Sequence, residues 1–96
     1  MLNSTAILRA APDQVSCDIG SQKAILNLRN GIYYGLDSVG GRVWELVQTP
    51  RRFDDLEAIL LDEYEVEPER LDVDLQTLCK TLVKAGLIEV QSEVRG

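Results

Sequence analysis

The pattern of apolar and polar positions changes part of the way along the chain. Apolar positions alternate with polar ones within the first 37 residues, and over the last 59 they recur at helical spacing. Alternation is typical of strands with one buried face, whereas recurrence every three to four residues is typical of amphipathic helices. The sequence therefore predicts strands first and helices afterwards.

Three strands are predicted in the first part. Strict alternation from Val15 to Ile19 indicates a half-buried strand, and residues 20–22 favour a turn after it. A second strand is predicted from Lys23 to Leu28, and a third from Ile32 to Leu36. Asn30-Gly31 between them predicts a tight type I′ hairpin turn, because both residues tolerate the positive φ that this turn requires.

The first predicted helix begins at Asp37 or Ser38, either of which can accept a hydrogen bond from the first turn. Gly40 and Gly41 fall inside this helix at a cost of about 1 kcal/mol each relative to alanine. Close approach of the helix to the sheet is the simplest reason for them. The helix is expected to end before Pro50, and its apolar stripe consists of Val39, Val43, Leu46 and Val47, with Trp44 beside it.

Two further helices follow. We expect Asp54 to cap the second helix, which runs to about Tyr64. Pro68 marks the first turn of the third and longest helix, and Gly86 favours its end after Ala85. The apolar stripe of this third helix consists of Leu71, Leu75, Leu78 and Leu82.

The remaining residues complete a single predicted domain. Residues 87–90 predict a short extended segment, and residues 91–96 are expected to form a flexible tail. A chain of 96 residues has room for one core, so residues 1–90 are expected to form one domain. The predicted fold class is α+β, with an N-terminal three-stranded antiparallel sheet followed by three helices.

Charge and hydropathy narrow the range of partners and locations. Ten Lys and Arg against 16 Asp and Glu give a net charge of -6. Such a chain is repelled on average by phosphate backbones and anionic membranes, so we expect no nucleic-acid or membrane partner and favour a basic or neutral one. The N-terminus lacks the pattern of a signal peptide and no apolar run has the length of a membrane span, which predicts a cytoplasmic protein.

The residue types that catalysis and metal binding require are scarce. Cys17 and Cys79 are the two cysteines, and the chain has no histidine to activate a thiol or complete a zinc site. Adjacent carboxylates such as Asp54 and Asp55 are better explained as helix-terminus and solvated charges. We therefore predict no catalytic residues, no metal and no cofactor, and a binding role rather than an enzymatic one.

The third predicted strand is a candidate binding edge. An edge strand can pair with another chain, and Tyr33 and Tyr34 point to opposite faces of it, which leaves open which tyrosine faces a ligand. One flank of the third helix, made of Asp72, Gln76, Cys79 and Val83, is predicted to form a groove with this strand. A peptide bound there would extend the sheet.

The order of several segments resembles the PqqD-like domains, also called RiPP recognition elements. The resemblance covers about residues 15–90 and is closest to the free-standing members of lasso-peptide pathways. Val39-Gly40, ahead of Gly41, departs from the family pattern. The segments that carry the resemblance are Asn27 to Asp37 (NLRNGIYYGLD), Gly41 to Leu46 (GRVWEL), Leu61 to Arg70 (LDEYEVEPER) and Leu82 to Val90 (LVKAGLIEV).

This resemblance implies a winged-helix-like domain that binds the leader of a ribosomally made precursor peptide as an added strand. It implies that the bound leader is presented to modifying enzymes, which in lasso-peptide pathways are a leader peptidase and a cyclase. By position, the resemblance places the strand side of the peptide site at Ile32, Tyr33, Tyr34 and Gly35. It places the helix side at Asp72, Leu75, Gln76 and Cys79.

Three other functions stay open at this point. The chain could be a peptide chaperone of quinone-cofactor (PQQ) biosynthesis or serve another class of modified peptide. A winged-helix DNA-binding protein is disfavoured, because the third helix carries Glu69, Asp72 and Asp74 among its basic residues rather than a basic stripe. A generic interaction domain that scaffolds proteins without any leader is the least specific alternative.

Overall fold

The computed structural model describes residue 2, residues 4–20 and residues 22–91. Within these residues the chain forms two three-stranded sheets and three helices, which confirms the predicted α+β class. The winged-helix description stays a prediction. In chain order the elements are β1 (Ile7–Ala10), β2 (Gln14–Ile19), β3 (Gln22–Asn27), β4 (Ile32–Leu36), α1 (Ser38–Leu46), β5 (Arg51–Arg52), α2 (Phe53–Glu63), α3 (Pro68–Lys84) and β6 (Ile88–Gln91).

The predicted three-stranded antiparallel sheet is present, with strand order β2-β3-β4. Its hairpin connection differs from the predicted one. Gly31 has a φ of 71°, but Asn30 lies outside the left-handed region, and the backbone N–H of Gly31 donates to the carbonyl of Asn27 at 2.8 Å. Since Asn27 pairs with Ile32, four residues rather than two connect β3 to β4, and the type I′ prediction is wrong.

A second sheet, with strand order β5-β1-β6, was not predicted. Its central strand β1 comes from the N-terminal segment, and the predicted extended segment after α3 is its edge strand β6. β5 has two residues, and β1 has four with no clear alternation, so neither produces a periodic pattern. Gln91, predicted to start the tail, is instead the last residue of β6 and pairs with Ile7 of β1. The rest of the predicted tail, residues 92–96, lies outside the described residues.

Helix α1 lies close to the sheet, as its two glycines predict. Asp37 is the N-cap, and its carboxylate accepts a hydrogen bond from the backbone N–H of Gly40 at 2.8 Å. A Cβ on Gly41 would lie 3.5 Å from the Cβ of Lys23 in β3, and one on Gly40 would lie 3.3 Å from the Cβ of Leu36. Gly40 therefore has little room for a side chain, whereas a Cβ on Gly41 would make an ordinary van der Waals contact with Lys23.

Helix α2 is capped differently from the prediction. Its N-cap is Arg52 without a side-chain cap, and Asp54 lies inside the first turn, so the assignment of Asp54 as the cap is wrong. The first backbone N–H groups donate instead to the N-terminal segment: Phe53 to the carbonyl of Ala6 at 2.8 Å, and Asp54 to that of Ser4 at 2.9 Å. A distant stretch of backbone therefore satisfies donors that a side chain usually satisfies.

Helix α3 begins and ends close to where the sequence predicts. Pro68 occupies the first turn, and Gly86 beyond the end has a φ of 77°, which favours glycine. Leu71, Leu75 and Leu82 of its stripe are buried, and Leu78 is half-buried. The core joins these residues to both sheets and both other helices through Leu8, Ile25, Leu36, Val43, Trp44, Leu46, Val47, Phe53, Leu56, Leu60, Cys79, Leu87 and Ile88.

The described helices are all too short or too polar to cross a membrane.

Helices α2 and α3 bring two carboxyl groups together. Glu57 of α2 hydrogen-bonds Asp72 of α3, and partial burial together with this neighbour raises the pKa of Glu57 to about 7. Burial disfavours the charged carboxylate, and the negative charges of Asp72 and Asp54 add to that effect. Between about pH 4.5 and pH 7, the Glu57 carboxyl is therefore protonated in the folded protein. In the unfolded chain, where its pKa is near 4.5, the same group has released this proton.

This proton makes stability depend on pH. Because the pKa is raised on folding, we expect the free energy of unfolding to decrease as pH rises from about 4.5 to about 7. Glu57→Gln should remove this part of the slope and stabilise the protein above neutral pH. Urea unfolding across the range measures it, with Asp62→Asn, an exposed carboxylate on the same helix, as control. An unchanged slope in Glu57→Gln would contradict the assignment.

Candidate functional site

Strand β4 is an edge strand with a free side. It pairs with β3 from Lys23↔Leu36 to Asn27↔Ile32, and no described strand pairs with its other side. The unpaired backbone groups of such an edge are available to another extended chain. All four residues predicted for the strand side of the peptide site, Ile32, Tyr33, Tyr34 and Gly35, lie on β4.

The N-terminal segment lies elsewhere and leaves this edge open. Its strand β1 pairs with β5 and β6 in the second sheet. Further towards the N-terminus, the backbone N–H of Leu2 donates to Oε1 of Gln76, and the carbonyl of Leu2 accepts from Nε2 of Gln76, both at 2.9 Å. The described part of the N-terminal segment therefore lies against the second sheet and the Gln76 side of α3.

Helix α3 runs alongside β4 in the opposite direction. At the start of β4, Ile32 pairs with Asn27, and Nδ2 of Asn27 donates to the carbonyl of Ala85 just beyond α3, at 3.1 Å. At the other end, Asp37 follows β4 directly and lines a cavity together with Leu71 and Leu75 from the first half of α3. We call the space between the free side of β4 and α3 the groove.

The groove contains a cavity of about 300 Å³ at the end of β4. Most of its lining is apolar, and charged side chains stand at its rim. The lining residues are Asp37, Val39, Val66, Arg70, Leu71, Asp74, Leu75 and Leu78. A space of this size and composition can accept one apolar side chain of a bound chain.

The two tyrosines occupy opposite faces of the sheet, as their positions predict. Tyr34 pairs with Ile25, which is fully buried, so both side chains lie on the inner face, where Tyr34 packs against the core. Tyr33 pairs with Leu26 on the outer face and is 68% exposed. Ile32 shares the inner face with Tyr34 and remains half exposed, so its side chain is available at the groove.

The four residues predicted for the helix side are not brought together in the groove. Leu75 lines the cavity. Asp72 contacts Glu57 of α2, Gln76 is buried and bonded to Leu2, and Cys79 is fully buried in the core. The side chains of these last three residues therefore lie on the flank of α3 that faces α2 and the N-terminal segment.

Sequence reasoning missed seven of the eight lining residues: Asp37, Val39, Val66, Arg70, Leu71, Asp74 and Leu78. One signal was available, because Leu78 belongs to the apolar stripe of α3 and lies on the side of that stripe opposite Gln76 and Cys79. Choosing between the two flanks requires knowing which one the N-terminal segment covers. Val66, an apolar residue between two glutamates, gave no periodic signal.

The charged groups around the cavity leave it weakly acidic. Nε of Arg70 lies 3.4 Å from Oδ2 of Asp74, and both side chains are exposed, so this pair contributes little to stability. Asp37 adds a further carboxylate at the same rim. With the chain at net charge -6, the site favours a peptide that is neutral or basic near its anchor.

The described residues contain little reactive chemistry near this site. Burial raises the pKa of Cys79 to about 12, so its thiol stays protonated and is a poor nucleophile. No three of the Cys, Asp and Glu side chains in the described ranges are grouped as metal ligands. The arrangement of a free strand edge beside an apolar cavity is suited to binding an extended peptide.

The chain matches a protein family over most of its length. The family described as coenzyme PQQ synthesis protein D (PqqD) matches residues 22–88, which include β3, β4, all three helices and the start of β6. Comparison with curated proteins gives no match.

Two solved structures resemble the chain. One, described as TbiB1 in complex with the TbiA(beta) leader peptide, is 30% identical, with a TM-score of 0.77, and the match covers 84% of this chain and 94% of TbiB1. The other, a lasso peptide synthetase B1 complexed with the leader peptide, is 22% identical, with a TM-score of 0.75 over 85% of this chain and 96% of that one. At that identity, the second structure supports the fold alone.

The family match covers more than half of the chain, and the match to TbiB1 spans nearly all of that protein. Both matches agree with the family resemblance of the sequence segments around β4 and α3. The chain belongs to the PqqD family and is a PqqD-like RiPP recognition element.

Proposed function

We propose that the chain binds the leader of a ribosomally synthesised precursor peptide as a strand added to β4, within lasso-peptide biosynthesis. The bound leader is then presented to a leader peptidase and a cyclase. The observation that carries the proposal is the free side of β4 next to an apolar cavity. It occurs in a chain that is 30% identical to a protein solved with its leader peptide.

The energetics require both parts of the site. Four or five added backbone hydrogen bonds contribute about 0.5 to 1.5 kcal/mol each, which the cost of association, about 4 to 15 kcal/mol, offsets. Burying one large apolar side chain in the cavity contributes on the order of 4 to 6 kcal/mol. We therefore propose that the β4 edge sets the register and orientation of the bound leader, and that the cavity supplies most of the net affinity.

The proposed contact residues come from both sides of the groove. From β4 we propose Ile32, Tyr33, Tyr34 and Gly35, with the inner-face side chains directed at the groove. From α3 we propose Leu75 together with Leu71, Asp74 and Leu78, which line the cavity. Asp72, Gln76 and Cys79 act indirectly in this proposal, because they hold α3 against α2, the N-terminal segment and the core.

A second pathway remains a candidate because of the family match. The family is described by coenzyme PQQ synthesis, so a peptide chaperone of that pathway, or of another modified-peptide class, would use the same groove. The 30% identity to TbiB1 over 94% of its length favours the lasso-peptide assignment.

The proposed role is that of a non-catalytic cytoplasmic domain that delivers its ligand to enzymes. Residues 1–90 are proposed to form this single domain. The acidic net charge of -6 supports a peptide rather than nucleic acid or an anionic membrane as the partner.

Strand addition should protect the backbone of β4 selectively. With a saturating leader peptide, we expect the edge-facing amides of Ile32–Leu36 to exchange more slowly, because they become hydrogen-bonded. Hydrogen exchange followed by NMR measures this. Strand β2 is the internal control, since it is the other edge of the same sheet. Protection that appears in β2 and not in β4 would contradict the proposal.

The cavity should determine affinity. Leu78→Ala removes half-buried apolar surface from the lining, and we expect leader binding to weaken about 5- to 30-fold, from about 1 to 2 kcal/mol of lost burial. Val73→Ala is the matched control, because Val73 lies on the same helix, is 62% exposed and is outside the lining. Fluorescence titration with labelled leader measures the affinity, and circular dichroism checks the fold. Equal affinities for the two variants would refute the role of the cavity.

The protein alone should leave its precursor unchanged. Because the described residues of the groove offer a binding edge and no activated nucleophile, incubation of the purified chain with the precursor should not change the mass of the peptide. Mass spectrometry over several hours is the measurement. Cleavage by the pure protein would overturn the non-catalytic role.

A further inference from the structure

The charges of the chain are unevenly distributed along its length. Ten of the 16 Asp and Glu residues lie in residues 54–74, which contain a single basic residue, Arg70. The rest of the chain carries nine basic and six acidic residues and is therefore weakly positive. Residues 54–74 comprise most of α2, the connection to α3 and the first part of α3, so the negative charge is concentrated in one part of the fold.

This acidic segment borders the groove where β4 ends. Val66 and Asp74 of the segment line the cavity, and Asp37, which follows β4 directly, adds a carboxylate to the same lining. Among the described lining residues, Arg70 is the one basic group, and its side chain and that of Asp74 are mostly exposed. Carboxylates therefore outnumber cations at the cavity that receives the apolar anchor side chain of a bound peptide.

Two further carboxylates beside the cavity are unpaired. Glu65 and Glu67 flank Val66 in the chain, and both are exposed. Within the described ranges neither forms an ion pair, since the pairs of this segment are Arg42–Glu63, Arg52–Asp54 and Arg70–Asp74. Carboxylates that the protein itself leaves unpaired attract a cation of a bound molecule, most strongly at low ionic strength.

The opposite end of the groove carries basic residues. Lys80 and Lys84 lie in the last turns of α3, whose end is held beside the start of β4, and Arg29 lies in the connection that leads into β4. All three residues are exposed. Arg29 approaches Asp13 at 3.5 Å, whereas no ion pair among the described residues involves either lysine. The charge along the groove therefore changes from negative at the end of β4 to positive at its start.

A strand added to β4 is most stable in the antiparallel orientation. All pairs within the β2-β3-β4 sheet are antiparallel, and antiparallel pairing is slightly more stable per residue than parallel pairing. A peptide in this orientation runs from the end of β4 towards its start. The residues that precede its anchor therefore lie at the acidic end of the groove, and those that follow the anchor run towards the basic end.

We propose that this change of charge along the groove makes the protein select peptides with basic residues directly before the anchor. Glu65 and Glu67, with Asp37 and Asp74 at the cavity, are the specificity-determining residues. This inference rests on the proposed function and adds the class of leader sequence and the groups that recognise it. The charges also fix the direction of the peptide, because a reversed peptide would place its basic residues at the basic end.

A divalent cation is the competing ligand for these carboxylates. A metal site requires several ligands close together, and the described residues contain no such group of three. Arg70 also lies among the carboxylates and would repel a metal ion. These two observations favour the basic side chains of a peptide, which can each contact one carboxylate separately.

The test varies the charge on both molecules. The anchor is first identified as the apolar leader residue whose replacement by alanine weakens binding most. Three labelled leader peptides then carry three lysines directly before the anchor, three glutamates at the same positions, or three lysines after the segment that pairs with β4. Fluorescence titration at about 50 mM and about 0.5 M salt measures their affinities.

The protein variant carries Glu65→Gln together with Glu67→Gln. The matched control carries Asp55→Asn together with Asp62→Asn, because these are exposed carboxylates of α2 outside the lining, and their loss changes the net charge equally. Circular dichroism checks that both variants keep the fold.

We expect wild type to bind the peptide with lysines before the anchor about tenfold more tightly than the glutamate peptide at low salt, and about twofold more tightly at high salt. The Glu65 and Glu67 variant should reduce the low-salt ratio about threefold, whereas the control keeps it.

Three results would overturn the inference and leave the proposed function intact. These are equal affinities of wild type for the lysine and glutamate peptides, an equal gain from lysines placed after the paired segment, and an equal fall of the ratio in the control variant. Failure of wild type to bind the unmodified leader would refute the proposed function, and this inference with it.

Discussion

The position of the N-terminal segment is the constraint on which the binding site depends. Strand β1 lies at the centre of the second sheet, and the carbonyls of Ser4 and Ala6 accept hydrogen bonds from the start of α2. Leu2 is bonded through both its backbone groups to Gln76. These contacts hold the N-terminal segment on the side of α3 that faces away from β4. The free side of β4 therefore stays available to a foreign strand.

Helix α3 serves the core and the groove at the same time. Its leucine stripe packs inward through Leu71, Leu75 and Leu82, and the same turns expose Asp74 and part of Leu78 to the cavity. Its far end is held where Asn27, the partner of the first residue of β4, donates to the carbonyl of Ala85. Core packing therefore holds α3 along its length, and this hydrogen bond ties its C-terminal end to β3.

The two faces of the β2-β3-β4 sheet differ in their surroundings. The inner face carries Ile25 and Tyr34 into the core, while the outer face is uncharged and uncovered by any described helix. A strand added to β4 contributes side chains to both.

Local chemistry allowed much of this structure to be predicted from the sequence, and the contacts between distant segments decided the rest. Pro68 and Gly86 mark the ends of α3, Asp37 caps α1, and the alternation in residues 15–36 marks the sheet, because each signal acts over a few neighbouring residues. The four strand-side residues lie on the predicted edge for the same reason.

Periodicity states which residues share a face but not what covers that face. It therefore could not show that the apolar side of β2 is exposed. Nor could it show that the Gln76 and Cys79 flank of α3 lies on the side of the N-terminal segment, or that backbone carbonyls from that segment cap α2 in place of Asp54.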